Sequence, residues 1–359
     1  MRVLVTGGSG FIGSNLVRYL VHGGYEVLNL DKLTYAASGS SLQDLETHPR
    51  YRFVHADICD AEAVELALKS FAPEAIVHLA AESHVDRSID APGRFITTNV
   101  VGTYVLLDAA RRFHGGLPDA AGERFRFIHV STDEVFGSLG TSDPAFNEST
   151  AYDPRSPYSA SKAGADHLVR AWWHTYGLPT IVTNCSNNYG PYQFPEKLIP
   201  TVILKCLRQE PVPVYGDGGN VRDWLYVEDH VRALERVLRQ GRAGATYAIG
   251  GGNERTNLEL VREICAIMDE LVPRADAGRY ADLIEFVVDR PGHDRRYAID
   301  STHARQDLDW EPMWSPYVAL RETVRWYLDN GSWWEPILSH AHDMRRLGLS
   351  VPADKGKAQ

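Results

Sequence analysis

No stretch of this 359-residue chain is apolar for the roughly 20 residues that a membrane-crossing helix requires, so no membrane partner is expected. Cysteine is scarce. Cys59, Cys185, Cys206 and Cys265 lie far apart without a CxxC pair, which argues against a disulfide framework and against a zinc site. No metal is expected, and a reduced compartment fits four scattered thiols. Positive charge is short as well: 37 Lys and Arg against 47 Asp and Glu leave a formal charge of −10. A field of that sign disfavours nucleic acid and anionic lipid surfaces. Any anionic small molecule must therefore be held by a local cluster of cations. The chain has no internal repeat and no low-complexity linker. It opens Arg2-Val3-Leu4-Val5-Thr6 and then glycine, too short an apolar run for a secretion signal, so a cytoplasmic location is expected.

What the chain does have is alternation. Val3–Val5, Val27–Leu30, Phe53–His55, Ile76–Leu79, Phe127–Val130 and Thr180–Asn184 read as strands. Ile12–Val21, Ala61–Phe71 and Phe95–Arg112 read as helices between them. The expected fold is α/β, a Rossmann-like doubly wound parallel sheet with a smaller, mixed α/β C-terminal substrate lobe. Beyond about residue 190 the pattern turns irregular, and Pro200–Arg208, Val227–Gln240, Asn257–Leu271 and Pro316–Asn330 read as helices. The expected division is a dinucleotide-binding domain over 1–185, with a return of the chain to it within 220–255, and a substrate lobe over 186–340. An extension over 341–359 ends in a polar tail, expected to fray.

Thr6-Gly7-Gly8-Ser9-Gly10-Phe11-Ile12-Gly13 joins the first strand to the first helix. Gly7, Gly10 and Gly13 permit a tight turn, close approach of the backbone to a pyrophosphate, and close packing of helix on strand. Asp31 ends the second strand. A carboxylate there accepts hydrogen bonds from a ribose diol and repels a 2′-phosphate, which favours NAD over NADP. Asp57 and Ile58 follow the third strand, within reach of an adenine, and Leu79, Ala80 and Ala81 follow the fourth, along the cofactor. A glycine-rich turn without a ligand is the alternative, and the strand–turn–helix context weighs against it.

Ser131-Thr132-Asp133-Glu134-Val135 places a hydroxyl and two adjacent carboxylates at the end of an apolar strand. Two readings stand: the acids cap a turn, or they form an acid–base pair. Tyr158 and Lys162 are four residues apart on a helix, hence on one face. An ammonium near a phenol favours the phenolate, and such a pair oxidises an alcohol with a nicotinamide. Two further acids add the means to remove water, since hydroxide leaves only with a proton and the carbon acid beside a ketone needs a base.

The glycine loop, Asp31, Thr132 and the Tyr158/Lys162 pair resemble the extended short-chain dehydrogenase/reductase family. Leu79–Ser88, Ser131–Val135, Asn187–Pro200, Asn220–Asp229 and Asp289–Tyr297 narrow the resemblance to its NAD-dependent sugar-nucleotide epimerases and dehydratases, and among these to 4,6-dehydratases of dTDP-hexoses. The resemblance implies that Tyr158 takes the 4-hydroxyl proton, with Thr132 bonded to that oxygen and Lys162 holding the ribose and tuning Tyr158. Glu134 is then the base at C5 and Asp133 the acid at the 6-hydroxyl. It adds Phe11, Ile12, Lys32, Leu33, Thr34 and Thr98 to the cofactor contacts. Around the substrate it implies Ser83 and Asn187 near the sugar. Arg222, Asn257, Asp289, Arg290 and His293 would lie at the pyrophosphate, and Glu196, Lys197 and Leu198, with Pro213 and Tyr215, at the base. Tyr297 belongs to the same set, while Asp294, Arg295 and Arg296 stay unassigned. Phe136, Cys185 and the stretch Ala36 to Ser41 depart from the family pattern. A homodimer through a four-helix interface, built from the helices near 92–113 and 157–176, is a further implication. The rival readings are a dehydratase of another NDP-hexose such as UDP-glucose, a 4-epimerase, and a non-catalytic NAD-binding regulator.

Overall fold

The computed structural model describes residues 1–37, 39–289 and 292–340, so the expected extension over 341–359 lies outside the described residues. Its strands are β1 (Arg2–Thr6), β2 (Glu26–Asp31), β3 (Tyr51–His55), β4 (Ala75–His78), β5 (Arg126–Thr132), β6 (Thr180–Cys185), β7 (Asn187–Tyr189), β8 (Val212–Tyr215), β9 (Val221–Tyr226), β10 (Thr246–Ile249), β11 (Glu254–Thr256) and β12 (Ile284–Val287). Seven of them form one parallel sheet in the order β3-β2-β1-β4-β5-β6-β10. β4 and β6 are buried along their whole length, as strands covered by helices on both faces are, although His78, Thr180, Thr183 and Asn184 lie within them. The chain steps outward from β1 to β3, then crosses back to β4. That reversal opens a crevice at the C-terminal ends of β1 and β4, where doubly wound sheets hold ligands.

Two departures from the expected elements matter for the site. β5 runs two residues past the apolar Phe127–Val130, because Ser131 and Thr132 pair in register with Asn184 and Cys185 of β6. The expected helix Phe95–Arg112 begins at Pro92 and changes its winding, α over Pro92–Phe95, π over Ile96–Gly102 and α again over Thr103–Gly115. In the π stretch, buried Asn99 accepts from the Glu82 backbone N at 2.8 Å and donates to the Glu82 carbonyl and to Ser161 Oγ, each at 2.9 Å. One side chain thus ties the loop after β4 to the helix Pro157–Tyr176.

The smaller lobe contains the sheet β11-β9-β7 and the pair β12-β8. Its core gathers Ile203, Val261, Ile264, Met268 and Tyr327, all buried. A second core lies against the large sheet, where the helix Val227–Gln240 packs on the helix Phe11–His22. Each Leu, Ile or Val fully buried in these layers contributes roughly 1.5–3 kcal/mol. Among the described residues, no helix is long and apolar enough to cross a membrane.

Candidate active site

Ser156 sets where the helix Pro157–Tyr176 begins. Its Oγ accepts from Ser159 N and its own N donates to Ser159 Oγ, both at 3.0 Å, and Pro157 occupies the first helical position. Such a cap is worth about 1 kcal/mol. It fixes the first turn so that Tyr158 and Lys162 stand one above the other, both buried. Opposite them, β5 ends in a short 3₁₀ turn over Asp133–Phe136, and Thr132 Oγ1 accepts from Glu134 N at 3.3 Å. Thr132 is therefore the residue that caps the turn. Asp133 does not, and its Oδ2 is buried with no protein partner.

One cleft of about 300 Å³, within the range of small-molecule sites, unites these groups with the glycine loop. Its wall includes Gly7, Gly10, Phe11, Ile12, Gly13, Asp31, Lys32, Thr34, Asp57, Ile58, Leu79, Ala80, Ala81 and Thr98. The same wall continues through Ser83, Thr132, Asp133, Glu134, Tyr158, Lys162, Asn187, Glu196 and Lys197. Gly7 has φ +72, and a Cβ there would lie 2.6 Å from Ala80 N; one on Gly13 would lie 2.1 Å from Gly7 O. The loop is thus drawn tightly onto the end of β4, a cradle that no side chain fills. Asp31 fastens it: Oδ2 accepts from Ser9 N at 2.9 Å and Oδ1 from Leu33 N at 2.8 Å. Burial raises the pKa of Asp31 above its ordinary value despite these bonds. Lys32 pairs with Asp57 at 2.7 Å across the adenosine end. A glycine cradle, a helix N-terminus and an acid after β2 fit a dinucleotide.

Other expected residues fall outside the cleft wall. Leu33 contributes its backbone to Asp31 rather than its side chain. Leu198 and Asn257 open the helices Leu198–Leu207 and Asn257–Leu271, and Pro213 and Tyr215 lie on β8. Tyr215, Asp289 and His293 come together: His293 Nδ1 is 2.6 Å from Asp289 Oδ1, and its ring meets Tyr215 edge-on. Arg222 is buried, donates to the carbonyls of Val221 and Asp294, and stacks 4.2 Å over the Tyr297 ring. Its charge reaches Asp133 and Tyr297. Arg290 lies outside the described residues. The two arginines left unassigned hold structural ion pairs, Arg295 with Asp217 and Arg296 with Glu254. Arg87 pairs with Glu196 at 3.1 Å, and His84 caps the helix Val85–Asp90. Phe136 stacks on Phe146 with ring centroids 5.1 Å apart.

The electrostatics separate the two acids from the phenol. Burial first, then Glu134 and Asp223, push the Asp133 carboxyl well above the usual carboxylate range, which favours its protonated form. Burial, then Glu134, also pushes Tyr158 well above its ordinary value, and the Thr132 hydroxyl pulls the other way. Ionising that phenol therefore demands nearby cations. Sequence reasoning misses what lies beneath. Lys162 Nζ donates to Val130 O at 2.8 Å and stands 3.5 Å from His129 Nε2, which is 3.1 Å from Asp166 Oδ1. The readable signal for Asp166 is its i+4 spacing from Lys162; His129, inside a strand, and Asn99 give none. Among the described residues, no group of three or more His, Cys, Asp or Glu is placed to hold a metal ion.

Comparison with known proteins places this geometry. A family model described as GDP-mannose 4,6 dehydratase matches residues 4–323. The dTDP-glucose 4,6-dehydratase of Neisseria meningitidis serogroup B is 56% identical over 350 residues, covering 97% of this chain and 99% of that one. The solved dTDP-glucose 4,6-dehydratase of Streptomyces venezuelae, with NAD bound, superposes at a TM-score of 0.84 with 46% identity over 94% of this chain and all (100%) of that one. The Bacillus anthracis dTDP-glucose 4,6-dehydratase, also in complex with NAD, gives 0.83 and 43% over 94% and 99%.

Proposed function

This chain belongs to the GDP-mannose 4,6-dehydratase family, and from that membership we propose that it dehydrates dTDP-glucose to dTDP-4-keto-6-deoxyglucose, using NAD. The observation that carries the reading is the convergence of Thr132, Asp133 and Glu134 with Tyr158 and Lys162 on one cleft that also contains the glycine loop and Asp31. When bound, NAD supplies a hydride acceptor at C4 and later a donor at C6, so no net redox change results.

The protein's own groups move the protons. Tyr158 receives the proton of the 4-hydroxyl, with Thr132 bonded to the same oxygen and Lys162 supplying positive charge. Glu134 removes the proton at C5 made acidic by the new ketone. Asp133 protonates the departing 6-oxygen, a role supported by the upward pKa shift that burial and Glu134 impose on it. A dehydrogenase or 4-epimerase needs no such donor. Within the cleft, Ser83 and Asn187 are assigned to the sugar and Glu196 and Lys197 to the base. In the smaller lobe, Arg222, Asn257, Asp289 and His293 are assigned to the pyrophosphate, Leu198, Pro213 and Tyr215 to the base, and Tyr297 to the same set.

A homodimer is part of the same proposal. Ile96, Val101, Tyr104 and Tyr176 are each between 45% and 52% exposed on neighbouring helices, apolar area that a second copy would cover in a four-helix interface. A reduced, cytoplasmic setting is supported by the four unpaired thiols. The test is a panel of NDP-hexoses with ketone formation followed by absorbance in base. dTDP-glucose is expected to give a 4-keto-6-deoxy product; recovery of a 4-epimer, or of no ketone from any member, would overturn the assignment.

A further inference from the structure

Lys162 is an ammonium 4% exposed, and among the described residues no carboxylate lies within salt-bridge distance of it. A buried amine without a counter-ion surrenders its proton. The nearest negative charge is one residue further off. Asp166, fully buried one turn along the same helix, lies behind His129, which fills the gap between them. Asp166 is held through one oxygen: its Oδ2 accepts from Ser131 Oγ and Tyr152 Oη, each at 2.8 Å, and from Asn184 Nδ2 at 3.4 Å. Arg170 in turn donates to Tyr152 Oη at 2.9 Å. His129 Nε2 lies 3.5 Å from Lys162 Nζ and 3.1 Å from Asp166 Oδ1, so one ring nitrogen separates the two charges and Asp166 acts on Lys162 through space.

We propose that Asp166, acting across His129, is the countercharge that keeps Lys162 cationic beneath Tyr158, and so is a positioning residue for the proton transfer at the sugar 4-hydroxyl. The proposal deepens the dehydratase reading and rests on it. The charges around each partner agree. Lys162 faces His129 on β5, His78 on β4, Cys185 on β6 and Asp166 on its own helix. Burial lowers the Lys162 pKa, and Asp166, then Cys185, pull against that fall. Burial pulls His129 down to about 4, so it stays neutral, and the contacts with His129 and Lys162 hold Asp166 below its ordinary value. Burial first, then Glu134, Cys185 and Asp133, push Tyr158 up against the pull of the Thr132 hydroxyl, so a Lys162 charge one turn away favours its ionisation.

The sign of a pH shift separates the candidate roles. In single turnovers of the NAD-loaded enzyme with dTDP-glucose, the rising limb of the NADH burst against pH reports ionisation of Tyr158. Asp166→Asn should move that limb up by about one pH unit or more, with an about tenfold loss at pH 7 that high pH restores. If Lys162 kept its charge without Asp166, loss of a negative group would move the limb down; a purely structural Asp166 would leave it in place. Either result overturns the proposal. In a Lys162→Met background the upward shift should vanish, and its persistence would equally refute the coupling. A readout independent of substrate and of the variants' folding is the ¹³Cε resonance of Lys162 in labelled wild-type protein, identified by its loss in Lys162→Met. It should report a charged amine at pH 7.5, and a neutral one there would sink the idea even if the dehydratase activity stands. A wild-type protein inert toward every NDP-hexose would sink the dehydratase reading instead, leaving the resonance to judge the lysine.

Discussion

Replacing Asp133 by asparagine tests the acid role and the electrostatics together. Asp133 is 1% exposed and lines the cleft, and its Oδ2 is buried without a hydrogen-bond partner. The amide keeps the shape of the protonated carboxyl but has no proton to give to the leaving 6-oxygen. In the proposed reaction its neighbour Glu134 is the base at C5, so no second donor stands in. Loss of a positioned acid costs about 10²–10⁴-fold, or roughly 3–5 kcal/mol of barrier, and the upper part of that range is expected here. Oxidation at C4 does not use Asp133. The variant should therefore show an NADH burst at close to the wild-type rate and then stall, with little 6-deoxy product by rapid quench. Stability should move in a complementary way. The folded state holds this proton more tightly than the unfolded chain, so the stabilisation is fully present below the unfolded pKa near 3.9 and is lost as pH rises through the higher folded value. Asparagine does not titrate. Wild type should thus lose more stability than the variant between pH 5 and pH 8, by about 1.4 kcal/mol for each pH unit of that interval over which the folded carboxyl keeps its proton, read from urea midpoints at both pH values. Parallel stability profiles would refute the raised pKa, and water elimination at the wild-type rate would refute the acid assignment.

Glu134→Gln should likewise oxidise the sugar and accumulate NADH, but without exchange of the C5 proton for solvent deuterium; normal exchange would remove Glu134 from the role of base. Because Asp133 feels Glu134 next after burial, the same variant should also ease its carboxyl back toward the ordinary range. Tyr158→Phe should lose the first step by about 10²–10⁴-fold, and an undiminished burst would contradict it. Gly7→Ala must place a Cβ 2.6 Å from Ala80 N at φ +72. It should cost about 1–3 kcal/mol in chemical denaturation and weaken NAD binding more than sugar-nucleotide binding; an unchanged midpoint would mean the loop is slacker than its geometry states.

Much of the fold is legible because its strands and helices carry their own signals. The helices Ala61–Phe71, Val227–Gln240 and Asn257–Leu271 keep their expected bounds, since apolar period and caps such as Asp60 and Thr256 are local. The glycine loop is legible for the same reason, as strand, turn and helix adjoin in sequence. β10 is short and lies at the sheet's edge, with no pattern to distinguish it from a loop. The π winding around Asn99 is equally silent, because an apolar stripe survives one wider turn almost unaltered. Arg222 illustrates the limit at the site: its motif marks it as important, yet only packing reveals that its guanidinium lies over Tyr297 beside two carbonyls.

The order of residues alone determined which chemical groups exist and how those within one turn face each other, so the Tyr158/Lys162 pair and the Thr132-Asp133-Glu134 run were readable at once. Only the tertiary structure decided their charges. Proton affinity depends on burial and on neighbours distant in the chain, as Asp223 and Arg222 are to Asp133, or His129 to Lys162, and no spacing rule encodes that meeting of strands.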